Sequence, residues 1–170
     1  MNLPAFMYPL LRSFRFPPRL HWHLAQAVNA RFLLGVAGII TDAAGRLLLF
    51  KHTYRRSHPW GMPGGWMQGG ESPLQALERE VLEESGLVVK ADRLLLLGTT
   101  PDRPKLEFVV GATVRGETFR PSLEVSEMGW FAASEYPPLA IFHHLILSQL
   151  AASDAALGWY EAPWVVAHPR

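Results

Sequence analysis

"ALEREVLEESG", Ala76–Gly86, sets Glu78, Glu80, Glu83 and Glu84 beside a single cation, Arg79. Like charges three and four apart on a helix repel by a few tenths of a kcal/mol per pair, so the cluster needs a reason. The helix bounds follow from local signals. Ser72 suits an N-cap, Pro73 the first helical position, and Gln75 completes a capping box. Gly86 is a C-terminal stop, with Leu87 placed to pack back. The spacing predicts a helix over 73–85.

At about 100° per residue, with Glu80 at zero, Glu83 falls near −60° and Glu84 near +40°. Leu74, Leu77 and Val81 form an apolar stripe at about 60° to 120°, directly beside that arc. Glu78 lies off the arc and Arg79 at its edge. Three carboxylates bordering a buried face repel one another and lose solvent unless cations neutralise them. Oxygen ligands suit a hard divalent ion. From helix phase alone, a metal site and a solvated acidic face both remain open.

The upstream residues narrow this. Gly65, Glu71, Arg79, Glu80, Val81, Glu83, Glu84, Gly86 and Leu87 stand in the order G-(five)-E-(seven)-R-E-U-(one)-E-E-(one)-G-U, where U is aliphatic. At ordinary residue frequencies the pattern arises by chance on the order of 10⁻⁷ over such a chain. It resembles a complete Nudix box, and with "PGG" before it and "EVSEMGWF" after it the resemblance covers roughly residues 31–150. It implies an α/β fold, a Nudix-type α/β/α sandwich around a mixed β-sheet, with the box forming loop–helix–loop. It implies a hydrolase of a diphosphate linkage in a nucleoside diphosphate joined to another group, with Mg²⁺ or Mn²⁺ as cofactor. Glu80, Glu83 and Glu84 match the family's metal-binding carboxylates and the Gly64 carbonyl a backbone ligand. Glu71 and Gly65 match supporting positions, and Arg79 an arginine that also orients a catalytic carboxylate. The general base is left among Glu80, Glu124 and Glu127, with Glu124 favoured. ADP-ribose, a nucleotide sugar and a nucleoside triphosphate all remain open, because sub-family markers after the box select none of them. Two rival readings are a non-catalytic nucleotide-binding module and an RNA 5′-pyrophosphohydrolase. The intact box argues against the first, and the near-zero net charge gives no support to the second.

Composition sets the outer limits. The chain has 170 residues, 49% hydrophobic and 18% charged, with a net charge of +1 and no cysteine. That describes a globular domain with no global field toward nucleic acid, and it excludes disulfides and thiolate chemistry. A cytoplasmic location and a nucleotide partner are the expectations, with neither nucleic acid nor membrane. Residues 1–30 read as a basic, aromatic arm, with Arg12, Arg15 and Arg19 and no acid. The expectation is that the arm packs on the domain or on a partner subunit, with a homodimer compatible with both. Membrane-surface anchoring is the minority reading. "HWHLAQAVNARF" has the pattern of a short helix within it.

Residues 31–170 read as the catalytic domain. "FLLGVAGIIT" and "RLLLFKHTY" around "DAAG" suggest a hairpin, and "HPWGMPGGWMQGGE" a loop with one short strand. Strands follow in "LVVKADRLLLLGTT", "KLEFVVGATVRG" and "EMGWFAA", then a helix in "PPLAIFHHLILSQLAA". Arg55 and Arg56 are candidates for phosphate, and Trp60 for stacking a base. Trp66 borders the pocket or caps the sheet. His52 and His58 read as satisfied or exposed residues, with substrate contact the lesser reading, and His143 and His144 as packing and surface.

Overall fold

Leu47-Leu48-Leu49-Phe50 is apolar at every position of an extended run, which calls for cover on both faces. All four side chains are buried. Leu48 and Phe50 point into one core cluster, Leu47 and Leu49 into another. That alternation divides the protein into layers.

The computed structural model describes residues 31–100, 104–116 and 118–152, together with His23, Ala27 and Asn29. The chain divides into two compact units, Met1–Arg31 and Phe32–Arg170. In the first, His23 and Ala27 are helical, inside the stretch expected to form a short helix. The rest of the arm reading lies mostly outside the described residues.

The second unit runs β1 (Leu33–Ile40), β2 (Leu47–His52), β3 (Trp60–Gly61), β4 (Gly64–Trp66), α1 (Pro73–Ser85), β5 (Val88–Thr100), β6 (Lys105–Gly116), β7 (Val125–Phe131), a short 3₁₀ turn (Ala133–Glu135) and α2 (Ile141–Ala152). One sheet has the order β4-β1-β6-β5, with β1 and β6 parallel and the other pairs antiparallel. The second is antiparallel, in the order β3-β2-β7. From α1, Ala76, Leu77 and Val81 pack with Val36, Ile40, Leu48 and Phe50. On the opposite face, Ile146 of α2 packs with Ala37, Leu47, Leu49 and Val109. The result is the expected helix–sheet–helix sandwich. Among the described residues no helix is long and apolar enough to cross a membrane.

Two expectations change. The hairpin between β1 and β2 is only a tight turn. Asp42 accepts from the backbone N–H groups of Ala44 and Arg46, each at 2.9 Å, and one bridge, Thr41 to Leu47, joins the arms. Beyond it the strands enter different sheets, because each has a better partner, β6 for β1 and β7 for β2. The glycine-rich loop holds two short strands, β3 and β4, one for each sheet.

Candidate active site

The box helix forms at the bounds its capping residues specify. Ser72 Oγ accepts from the Gln75 backbone N–H at 3.3 Å, and Gln75 Oε1 accepts from the Ser72 N–H at 2.9 Å. Gly86 ends the helix at φ 72°, where an L side chain is strained, and its N–H donates to the Leu82 carbonyl. The acidic arc is graded by depth: Glu84 is 7% exposed and the Glu80 side chain 15%, whereas the Glu83 side chain is 58% exposed. Glu78 points elsewhere. Its carboxylate accepts from the Ala91 N–H at 2.9 Å and pairs with Lys90 at 3.2 Å.

Arg79 is the hub of the cluster. Its Nε and Nη2 donate to the two Glu71 oxygens at 3.0 and 2.7 Å, and Nη2 also donates to the Trp66 carbonyl at 2.9 Å. Nη1 donates to Glu80 at 2.9 Å and to Glu83 at 3.1 Å. The fork holds Glu71 below the usual carboxylate range. The same carboxylates push the guanidinium pKa further up. Glu80 lies under the β4 backbone: a Cβ on Gly65 would sit 2.4 Å from its carboxyl carbon. Any residue but glycine would displace Glu80.

Glu84 has no such cation. Its Oε2 is buried without a hydrogen-bond partner. Burial first, then the charges of Glu80 and Glu124, raise its pKa to about 8, against the smaller opposing effects of the Gly64 N–H and Arg55. Gly64 adopts φ 149°, and a Cβ there would overlap the Val36 carbonyl at 2.1 Å, so only glycine brings this backbone so close.

Do these residues fit a divalent cation? Among the described residues no three acidic or histidine side chains already converge on one point. Arg79 draws Glu80 and Glu83 to itself instead. Yet the donor set is all oxygen, and the orphaned Glu84 oxygen is what a hard cation would satisfy. The residues fit.

Beside the carboxylates opens a cleft of about 330 Å³, lined by Arg55, Gly64, Gly65, Trp66, Lys105 and His143 among others. Arg55 spans it: Nη1 lies 3.2 Å from His143 Nε2 on α2 and packs over Gly61, where a Cβ would be 2.3 Å away. Of the residues singled out for substrate, Arg55 and Trp66 reach the cleft. Trp60 does not line it. Its ring packs edge-on against Phe131, with centroids 5.1 Å apart, in the core cluster under α2. Pairing of β3 with β2 turns it inward. Arg56 is exposed and is not among the cleft residues. Glu127 is tied to Lys51 at 2.7 Å, while Glu124 makes no ion pair among the described residues and lies close enough to raise Glu84.

Reading the sequence missed His143, and also Lys105 and Glu107. His143 is buried, and desolvation with the Arg55 charge lowers its pKa to about 3. His52, buried with neither ring nitrogen partnered, is lowered to about 4 by desolvation and Arg55. A histidine on the apolar side of a helix offers no local sign that it meets an arginine from another element. The one available signal was Glu107, a lone acid in the apolar strand "LEFVV".

A glycine-anchored acidic helix on a helix–sheet–helix sandwich, opening on a cleft with an arginine, defines a hydrolase of phosphate anhydrides. Residues 31–150 match the NUDIX domain, and the chain belongs to the Nudix family as a pyrophosphohydrolase. It is 31% identical over 137 residues to the ADP-ribose pyrophosphatase of Methanocaldococcus jannaschii, which covers 76% of this chain and 74% of that one. It is 30% identical over 129 residues to the NAD-capped RNA hydrolase NudC of Citrobacter koseri, which covers 73% of this chain but 50% of that one. An ADP-ribose pyrophosphatase from Streptococcus suis shares the fold at a TM-score of 0.62 and 23% identity, over 76% of this chain and 97% of that one. A UDP-X diphosphatase does so at a TM-score of 0.62 and 21% identity, over 87% and 76%.

Proposed function

We propose that this chain hydrolyses the diphosphate of a nucleoside diphosphate joined to a second group, with Mg²⁺ or Mn²⁺ as cofactor. The observation that carries the reading is the buried, unpartnered Glu84 oxygen on one arc with Glu80 and Glu83, against the Gly64 loop. Those three carboxylates and the Gly64 carbonyl would hold the cation. Bound there, a divalent cation offsets the charge of the diphosphate, polarises phosphorus and acidifies water.

The chain's own residues do the rest. Arg79 holds Glu80 and Glu83 in position and is itself held by Glu71. Arg55 offers its guanidinium to a phosphate oxygen from across the cleft. Water attacks phosphorus in line, one P–O bond of the anhydride breaks, and two phosphate-bearing products leave. Glu124 accepts the water's proton. What supports Glu124 is that Glu80 is engaged by Arg79 and Glu127 by Lys51, while the charge of Glu124 is felt at Glu84.

ADP-ribose is the first substrate to try, since the archaeal relative bears that name. The test is a product-release screen with Mg²⁺ over ADP-ribose, nucleotide sugars, nucleoside triphosphates and capped or triphosphorylated RNA. Turnover of at least one diphosphate conjugate is expected. No turnover on any of them overturns the reading.

A further inference from the structure

One row of cross-strand neighbours at the cleft is out of place in a β-sheet. Trp66 on β4 pairs with Gly35 on β1, and Gly35 with Glu107 on β6. Opposed residues share a face, so this row presents a large ring, a glycine and a carboxylate, in that order. The glycine is needed because the Glu107 and Lys105 side chains lie over it: a Cβ on Gly35 would be 2.6 Å from Glu107 Oε2 and 3.1 Å from Lys105 Cε. Trp66 is 53% exposed, whereas Glu107 is only 7% exposed on an inner strand. A buried carboxylate is costly, and for stability alone an apolar residue would serve as well.

Lys105 shows what this row accepts. Its ammonium pairs with Glu107 while lying 4.9 Å from the Trp66 ring centroid and 5.4 Å from that of Phe142. It is an N–H donor set between aromatic rings and aimed at a carboxylate. Two residues back along β4, about 6.6 Å away, is Gly64 of the carboxylate site. That is roughly the span of a ribose between a base and its first phosphate.

We propose that the position the Lys105 ammonium takes in the cleft, between Trp66 and Phe142 and against Glu107, is a nucleobase slot, in which Trp66 stacks on the ring and Glu107 accepts from an amino group on its edge, so that the site prefers amino-bearing purine nucleotides. This rests on the nucleotide reading above. The base displaces the Lys105 ammonium and its amino group takes over the partner that Lys105 holds. A purine covers more of the indole than a pyrimidine does. Uracil fits poorly, because its edge sets two carbonyl oxygens around one N–H and these face the carboxylate.

The test is calorimetric titration of the full chain with AMP and with UMP, without metal, for wild type, Trp66→Ala and Glu107→Gln. In parallel, kcat/KM is measured on ADP-ribose and UDP-glucose with Mg²⁺. Wild type should bind AMP about tenfold or more tighter than UMP. Trp66→Ala, an exposed change that spares the core, should weaken both by a similar factor of about ten. Glu107→Gln should bring the two affinities together, because the amide donates to the uracil carbonyl, and should shift KM rather than kcat. Equal AMP and UMP affinity in wild type overturns the slot, as does full AMP affinity in Trp66→Ala. So does an unchanged ratio in a Glu107→Gln protein that melts cooperatively. Turnover that is blind to the base would sink the slot alone. Absence of turnover on every diphosphate would sink the functional reading, while the AMP titration would still decide the slot.

Discussion

Arg79 grips Glu71 through two parallel hydrogen bonds, of 3.0 and 2.7 Å, and from the same guanidinium reaches Glu80 and Glu83. A planar fork can do this, and a lysine ammonium cannot. Arg79→Lys should therefore lower kcat by about a hundredfold, roughly 2.7 kcal/mol, with a smaller change in KM. Glu71→Gln should produce a milder version of the same defect. Steady-state kinetics on both variants checks this. Wild-type kcat in Arg79→Lys would remove the fork from the mechanism.

Glu84 is the member of the arc whose buried oxygen has no hydrogen-bond partner. Its folded pKa of about 8 lies above the ordinary 4.5. The charged form is therefore disfavoured by folding, and stability falls as pH rises through that window. Glu84→Gln should raise the melting temperature of metal-free protein at pH 7 by several degrees, a gain on the order of 2 kcal/mol. The same change should abolish stabilisation by Mg²⁺ and cut turnover at least about a hundredfold. A lower melting temperature would contradict this placement.

Glu124 and Glu127 separate cleanly. Glu127 is paired with Lys51 on an exposed edge, a contact worth about 0.2–1 kcal/mol. Glu127→Gln should leave kcat within about twofold. Glu124→Gln should lower kcat by about a hundredfold. Similar kcat values in the two variants would return the base to Glu80.

Glu78 belongs to the fold. Its carboxylate supports the Ala91 N–H at the start of β5. Glu78→Gln should keep its activity per folded molecule, because the amide oxygen still accepts. Glu78→Ala should cost about 1–2 kcal/mol in urea unfolding. A large loss of kcat in Glu78→Gln would mean that the helix phase is wrong.

His52 and His143 make the protein acid-sensitive. Both are held neutral, with folded pKa values of about 4 and about 3 against 6.5 when unfolded. Below 6.5 the unfolded chain binds protons that the folded one refuses, so stability falls as pH drops from 6.5 toward 3. At pH 5 the loss is about 2 kcal/mol per histidine. Glu84 works in the opposite direction, so the comparison is made within one background. Melting temperatures at pH 7 and pH 5 should converge in His52→Gln relative to wild type. An equal drop in both proteins would count against the buried neutral ring.

Helix α1 was legible residue by residue. A cap is satisfied within one turn, and a side chain's direction follows from the helical period, so Ser72, Gln75, Gly86 and the separation of Glu78 from the arc needed no partner. The alternating burial of β2 was visible as a run apolar on both faces. The parting of β1 and β2 into different sheets was not, since a short turn between apolar runs has the same pattern in either outcome. Trp60 shows the same limit: a tryptophan beside glycines reads as a stacking group until the pairing of β3 with β2 turns it into the core.

The sequence by itself determined the arrangement at the acidic end, because helix period and a contiguous motif place Glu80, Glu83, Glu84 and Arg79 within a few turns of chain. Only the tertiary structure decided what faces them. Arg55 meets His143, and Trp66 stands across Gly35 from Glu107, through strand pairing and helix packing between residues far apart in sequence. Nothing in local backbone preference encodes such contacts. They exist only once β1 has chosen β4 and β6 as neighbours and α2 has closed the opposite face.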